Sequence, residues 1–329
     1  MGLPYAAEPD KGRPAGTRLT LPPLMANDDD PDGYVPDEGL VDAVNVALLL
    51  RQPLLLTGEP GTGKTQLAHS VAHQLGLDKP LAFETKSTAA AKDLFYTFDS
   101  VARFRAAQVS DSNLRVGDFI TFNALGLAII LANEPNDVSR YLPHEFRHPG
   151  KRQSVVLIDE VDKAPRDFPN DILNEVDRFF FRIPEAGGSA IAASADYRPV
   201  LIITSNSERT LPDAFLRRCV FYRIPFPDEA RLEKIILNRF TGRLAKGAPL
   251  MQGGVEFFLT LRSPALGLQR SPGTAELLNW LSAMLAFGCK AEESIQSQSR
   301  IARSCLYTLA KHVEDQQIVQ NCFVSHASR

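Results

Sequence analysis

The first residues able to do chemistry are Gly58-Glu59-Pro60-Gly61-Thr62-Gly63-Lys64-Thr65, an ungapped match to the phosphate-loop pattern. Glycines at these places let the backbone turn tightly and bring its N–H groups up to a polyphosphate. A helix beginning near Lys64 would aim its positive end at the same spot. Lys64 offers a mobile positive charge for β and γ phosphates, and Thr65 a hydroxyl for Mg2+. The loop therefore implies a nucleoside triphosphate site. Its nucleotide-contacting set runs from Gly58 through Glu59, Pro60, Gly61, Thr62, Gly63, Lys64 and Thr65 to Gln66.

A second constellation follows about a hundred residues later, at Val155-Val156-Leu157-Ile158-Asp159-Glu160. Four consecutive apolar, mostly β-branched residues read as a strand buried on both faces of a parallel sheet. The two carboxylates emerge where such strands meet their ligand. Asp159 is placed to hold Mg2+ through its water shell, and Glu160 to polarise the attacking water as general base. A third strand, Pro199 to Ile203, ends in Thr204-Ser205-Asn206. Asn206 there would hydrogen-bond the attacking water or the γ phosphate. Finally, Arg217 and Arg218 close a short helical stretch from Leu211. They either complement that helix's dipole or face the nucleotide of a neighbouring subunit as an arginine finger.

The elements that must position these groups can be read in order. Residues 1–33 carry six prolines and the acidic run Asp28-Asp29-Asp30, which predicts a flexible lead-in. Leu40, Val41, Val44, Ala47 and Leu48 predict a helix before the Leu54–Leu56 strand. The phosphate loop is followed by a helix to about Leu75 and a short strand at Leu81 to Glu84. A helix is expected at Ala124 to Leu131, another over Phe168 to Asp177, and a last strand at Val220 to Ile224. Gly187-Gly188, between Phe179–Pro184 and Ser189–Ala193, signals a hairpin, either an exposed interaction element or an ordinary loop. After Pro227, helical patterns dominate at Asp228–Phe240, Gly254–Leu261, Thr274–Phe287 and Glu292–His312, with Ser271-Pro272-Gly273-Thr274 and Glu276 as a helix start. The expected organisation is a flexible segment 1–33, a nucleotide-binding α/β domain 34–227 and a helical domain with its tail, 228–329.

Bulk properties narrow the classes. A net charge of −3 gives no electrostatic case for nucleic acid as the main partner. No apolar run approaches the roughly 18 residues a membrane helix needs, and no export signal opens the chain, so a cytoplasmic, non-membrane protein is expected. Cys219, Cys289, Cys305 and Cys322 lack metal-ligand spacing and read as reduced thiols. His144 and His148 are four apart, but Pro143 and Pro149 put them in a loop, against a metal site.

The succession of phosphate loop, Asp159-Glu160 strand, Ser205-Asn206, Leu211-Pro212-Asp213-Ala214-Phe215-Leu216-Arg217-Arg218 and a helical lid resembles the AAA+ ATPases, and more narrowly their MoxR branch. The resemblance spans about Tyr34 to the lid. It implies a P-loop αβα sandwich with a parallel sheet and a small all-helical lid. It further implies ATP and Mg2+ as ligands, with Lys64 and Thr65 as Walker A residues and Asp159 and Glu160 as Walker B residues. Asn206 would be sensor 1, and Arg218, or failing it Arg217, the finger. A ring oligomer, a hexamer, is implied, with inserts near Asp93–Leu114 and Arg182–Ala193 lining or capping it. The implied work is remodelling or activation of a protein client, which for MoxR relatives is often a von Willebrand factor A-type protein. One departure stands out: MoxR-like lids carry Ser-Pro-Arg where this chain has Ser271-Pro272-Gly273. Arg270 is the substitute candidate for reaching the γ phosphate, or else a solvated loop residue. Two other classes stay open at this level: a nucleotide-switched scaffold with little turnover in a bacterial signalling or conflict system, and a nucleic-acid motor or loader.

Overall fold

The computed structural model describes residues 31–108, 115–206 and 210–327. The lead-in up to residue 30 and the last part of the first expected insert, 109–114, lie outside the described residues. The chain divides into two compact units: residues 36–59 with 63–225, and residues 226 onward with the short segments 31–35 and 60–62.

The first unit opens with α1 (Glu38–Leu50), capped by the Asp37 carboxylate on the Leu40 N–H at 2.9 Å. Then come β1 (Leu54–Thr57), α2 (Lys64–Gln74), β2 (Leu81–Glu84), β3 (Tyr96–Phe98), α3 (Ser100–Gln108), β4 (Ile120–Phe122) and α4 (Ala124–Leu131). The turn α5 (Pro135–Val138) precedes β5 (Val155–Asp159), α6 (Phe168–Asp171), α7 (Leu173–Arg178) and the hairpin strands β6 (Phe180–Arg182) and β7 (Ala190–Ala192). β8 (Val200–Ser205), α8 (Asp213–Leu216) and β9 (Val220–Arg223) complete it.

The main sheet is parallel, in the order β2-β5-β8-β1-β9. β1, first in sequence, thus lies inside the sheet between β8 and β9, and the chain leaving it crosses two strands to reach the far edge. Such a reversal in strand order opens a crevice beyond the carboxyl ends, where ligands of open α/β sheets bind. The register brings the chemistry there: Thr57 pairs with Ser205, Ile158 with Ile203, and Glu84 with Asp159. β1, β5 and β8 are apolar and buried because both faces of the sheet are covered, as expected of parallel strands. α4, apolar all round, is buried on nearly every side.

The expected hairpin forms, and one of its faces is packed inward. Phe181 and Ile191 are buried, and the Phe181 ring stacks 5.4 Å from Phe95. The hairpin is therefore a seated part of the core with an exposed outer side, not a free arm. The helix expected over Phe168–Asp177 is interrupted at Ile172, where ψ relaxes to −2°, although Val176 N–H still reaches Ile172 O at 2.9 Å. Two small antiparallel strands, β3 and β4, were not separable from irregular chain in the sequence.

The second unit contains α9 (Glu229–Arg239), α10 (Pro249–Leu261), α11 (Thr274–Ala286), α12 (Ser299–Ser304) and α13 (Val313–Ala327). Its core centres on fully buried Trp280, whose indole N–H donates to Ala302 O at 3.2 Å, packed with Phe257 and Phe323. A single helix over Glu292–His312 does not form, because Gln298, Ser294 and Ser297 take up backbone groups that a helix would need. Gln298 alone bonds Lys290 N–H, Lys290 O and Glu293 O. Beyond the expected helices, the tail is itself helical as α13, with Asp315, Val319 and Phe323 buried at a spacing of four. α10 also begins five residues before the expected Gly254, with Pro249 in its first turn.

Candidate functional site

The site assembles where β1, β5 and β8 end. After β1, the loop turns through Gly58, Gly61 and Gly63 at φ of 148°, 80° and 84°, values that L side chains rarely adopt. Gly63 in the left-handed region lets α2 start immediately at Lys64. Lys64 is 7% exposed, and its ammonium donates to Gly58 O at 2.8 Å and Glu59 O at 3.0 Å. Burial lowers its pKa, while Asp159, Asp162, Glu160 and Glu59 pull it back up, in that order. The cation is thus held over its own loop, facing the carboxylates at the ends of the neighbouring strands.

Thr65, one residue into α2, donates its hydroxyl to Asp159 at 3.1–3.2 Å. Thr204, in β8, also donates to Asp159, and accepts the Glu160 N–H at 2.9 Å. These bonds tie three segments together at one carboxylate. Glu160 sits in the left-handed region at φ 56°, a conformation that costs a non-glycine residue about 1–2 kcal/mol. Strain of this kind collects at functional sites when the surroundings over-determine it. The Glu160 side chain is gripped at both oxygens: Oε1 accepts from Asn206 Nδ2 at 3.0 Å, and Oε2 from Lys163 Nζ in an ion pair. Asn206 in turn donates its N–H to the buried Asp162 carboxylate, at 3.2 and 3.1 Å from the two oxygens.

The residues expected from sequence are therefore brought together for Lys64, Thr65, Asp159, Glu160 and Asn206. The donor set fits Mg2+, since the Thr65 hydroxyl and the Asp159 carboxylate offer hard oxygens side by side. It fits a triphosphate through the glycine-rich backbone, the Lys64 ammonium and the start of an eleven-residue helix at one place. Gln66 follows in the first turn of α2. Arg217 and Arg218 are exposed beyond α8, and Arg218 donates to Ala214 O of its own helix at 2.9 Å. Arg270 belongs to the helical unit. Its guanidinium lies 3.9 Å from Glu276, whose carboxylate caps the Gly273 N–H, and its N–H bonds the buried Asp315.

Three contributors escaped the sequence reading: Thr204, Asp162 and Lys163. Each carried a signal. Thr204 is a hydroxyl residue closing an otherwise apolar strand, and Asp162 repeats a carboxylate two positions after Glu160. Lys163, three residues from Glu160, had the spacing of an ion pair on a helical turn.

Comparison with known proteins bears on this geometry. No curated protein matches the chain. Similar solved structures include one described as "Structural Basis for Katanin Self-Assembly", 13% identical over 89% of this chain and 90% of that one, with a TM-score of 0.44. Another is a variant of RuvB from Thermotoga maritima, 15% identical over 89% of this chain and 75% of that one, with a TM-score of 0.45. Both are distant. The family match is of another kind, because it covers residues 54–227, from the start of β1 past the end of β9 and over half the chain. That span takes in the phosphate loop, both acidic residues and Asn206, and the chain belongs to the ATPase family associated with various cellular activities (AAA).

Proposed function

We propose that this chain is a Mg2+-dependent ATPase of MoxR-like type that works as a ring oligomer, a hexamer, and uses hydrolysis to remodel or activate a protein partner. A von Willebrand factor A-type protein is one such partner. The observation that carries the hydrolytic part is the network joining Thr65, Asp159, Thr204, Glu160 and Asn206 at the strand ends. Binding alone needs the loop and Lys64; a carboxylate poised beside the Mg2+-type donor pair supports bond cleavage. The MoxR assignment and the client rest on the motif succession in the sequence.

In this reading the loop N–H groups and Lys64 bind the phosphates, with Lys64 moving from Gly58 O and Glu59 O to phosphate oxygens. Thr65 and Asp159 would hold Mg2+, which when bound neutralises charge on the β and γ phosphates. Glu160 Oε1 and Oε2 each accept one bond, from Asn206 and Lys163, and each keeps a lone pair with which to take a proton from water. Asn206, one residue beyond the end of β8, keeps that water in line. Arg218, or Arg217 beside it, serves the site of a neighbouring subunit.

The test pairs two variants. Glu160→Gln keeps ATP binding but hydrolyses about 100-fold or more slowly, read as steady-state phosphate release. Lys64→Ala loses binding of a fluorescent ATP analogue. Near-normal turnover in Glu160→Gln removes that residue from the base role. Background turnover in the parent, with intact binding, makes the chain a nucleotide-switched scaffold instead.

A further inference from the structure

Asp162 is 2% exposed, in the turn immediately after Glu160. Burying a carboxylate is costly unless it is compensated, so its partners say what it is for. One partner is the Asn206 N–H, shared between its two oxygens at 3.2 and 3.1 Å. Asn206 lies one residue beyond β8, where the pairing with β1 has ended at Ser205. The sheet therefore does not fix its backbone, and Asp162 does. The Asn206 side chain then spans back to Glu160 Oε1 at 3.0 Å. A residue two positions after the candidate base thus orients it indirectly, through the strand next door.

We propose that Asp162 is a positioning residue that fixes Asn206, and through it Glu160, so that loss of its acceptor slows hydrolysis while nucleotide binding persists. This rests on the hydrolytic reading above. The competing role for a buried carboxylate here is electrostatic, as a counter-charge to Lys64, whose ammonium it helps keep protonated. The two roles make opposite demands. Positioning needs an acceptor for the Asn206 N–H, whereas the counter-charge needs the negative charge itself.

Asp162→Asn and Asp162→Leu separate them, since asparagine keeps an acceptor oxygen without the charge and leucine keeps neither. Asp162→Ala replaces the leucine variant should that one not fold. On the full chain with Mg2+ and ATP, the expected result is a kcat at least about tenfold lower in Asp162→Leu, with KM and the Kd of a slowly hydrolysed ATP analogue within about threefold. Asp162→Asn recovers kcat to within about threefold of the parent. In an Asn206→Ala background, the leucine substitution adds little further loss, because both act along one path. Parental kcat in Asp162→Leu overturns the proposal. So does an asparagine variant that fails like the leucine one with weakened analogue binding, which assigns Asp162 to Lys64. A parent without turnover defeats the hydrolytic reading separately, and hydrogen exchange at the Asn206 amide then decides alone. Faster exchange in the leucine variant, but not in the asparagine variant, upholds the positioning contact; equal exchange overturns it.

Discussion

Thr204 links the two acidic residues of the site through one hydroxyl, accepting from the Glu160 N–H and donating to Asp159. It is fully buried, so no water stands ready to replace it. Thr204→Val keeps shape and volume but leaves the Glu160 N–H without its acceptor. An orphaned buried donor costs about 1–3 kcal/mol, which a lowered urea midpoint with an unchanged slope would register. Turnover should fall as well, because the left-handed Glu160 loses the bond that helps over-determine it. Thr204→Ser should restore most of both. Lys64, Thr65, Asp159 and Glu160 are adjacent in chemistry and close in sequence to a recognisable loop or strand end. The local cues at Thr204 and Asp162 say that a polar group stands there but not what it meets, because their partners are set by the parallel register of β8 beside β5, a long-range property.

At the scale of elements, the sheet of the first unit was readable because strands buried on both faces announce themselves as apolar runs. The failures share a different cause. β3 and β4 are three residues each and pair only with one another, too short for an alternation to emerge. α13 has no apolar residue between Val313 and Ile318, and its buried stripe begins with a charged one, Asp315. α4 adds a constraint invisible to hydropathy. A Cβ at Gly126 would fall 1.9 Å from the carbonyl oxygen of Phe95, so the helix can lie against that chain only with glycine there. Gly126→Ala must push α4 away from the start of β3, and should destabilise the chain by about 3 kcal/mol. Gly254 in α10 is the control. Its added Cβ would meet the flexible end of Leu281 at 3.1 Å, and the better helix former offsets part of the strain. Gly254→Ala should therefore change stability by less than about 1 kcal/mol, and a urea series on both variants distinguishes a backbone obstruction from a side-chain one.

At the scale of the whole molecule, the open question is whether one chain completes its own site. Arg218 is exposed and its guanidinium is turned onto the Ala214 carbonyl of its own short helix. Its backbone lies two residues before the edge strand β9. If Arg218 acts as the proposed finger, Arg218→Ala should abolish most turnover while leaving the analogue affinity within about threefold, because the lost charge would act on the transition state rather than on ground-state binding. Lys64→Ala should be inactive for the opposite reason, having an intact Arg218 but no phosphate grip. Mixing the two inactive proteins then tests the interface directly. In a head-to-tail ring of equal parts, about a quarter of the interfaces pair an intact phosphate loop with an intact arginine from its neighbour. Turnover approaching that fraction of the parent, with a maximum near equal proportions, is the outcome expected of action in trans. Mixtures that stay inactive at every ratio, under conditions where the subunits exchange, would confine Arg218 to its own helix and pass the question to Arg217.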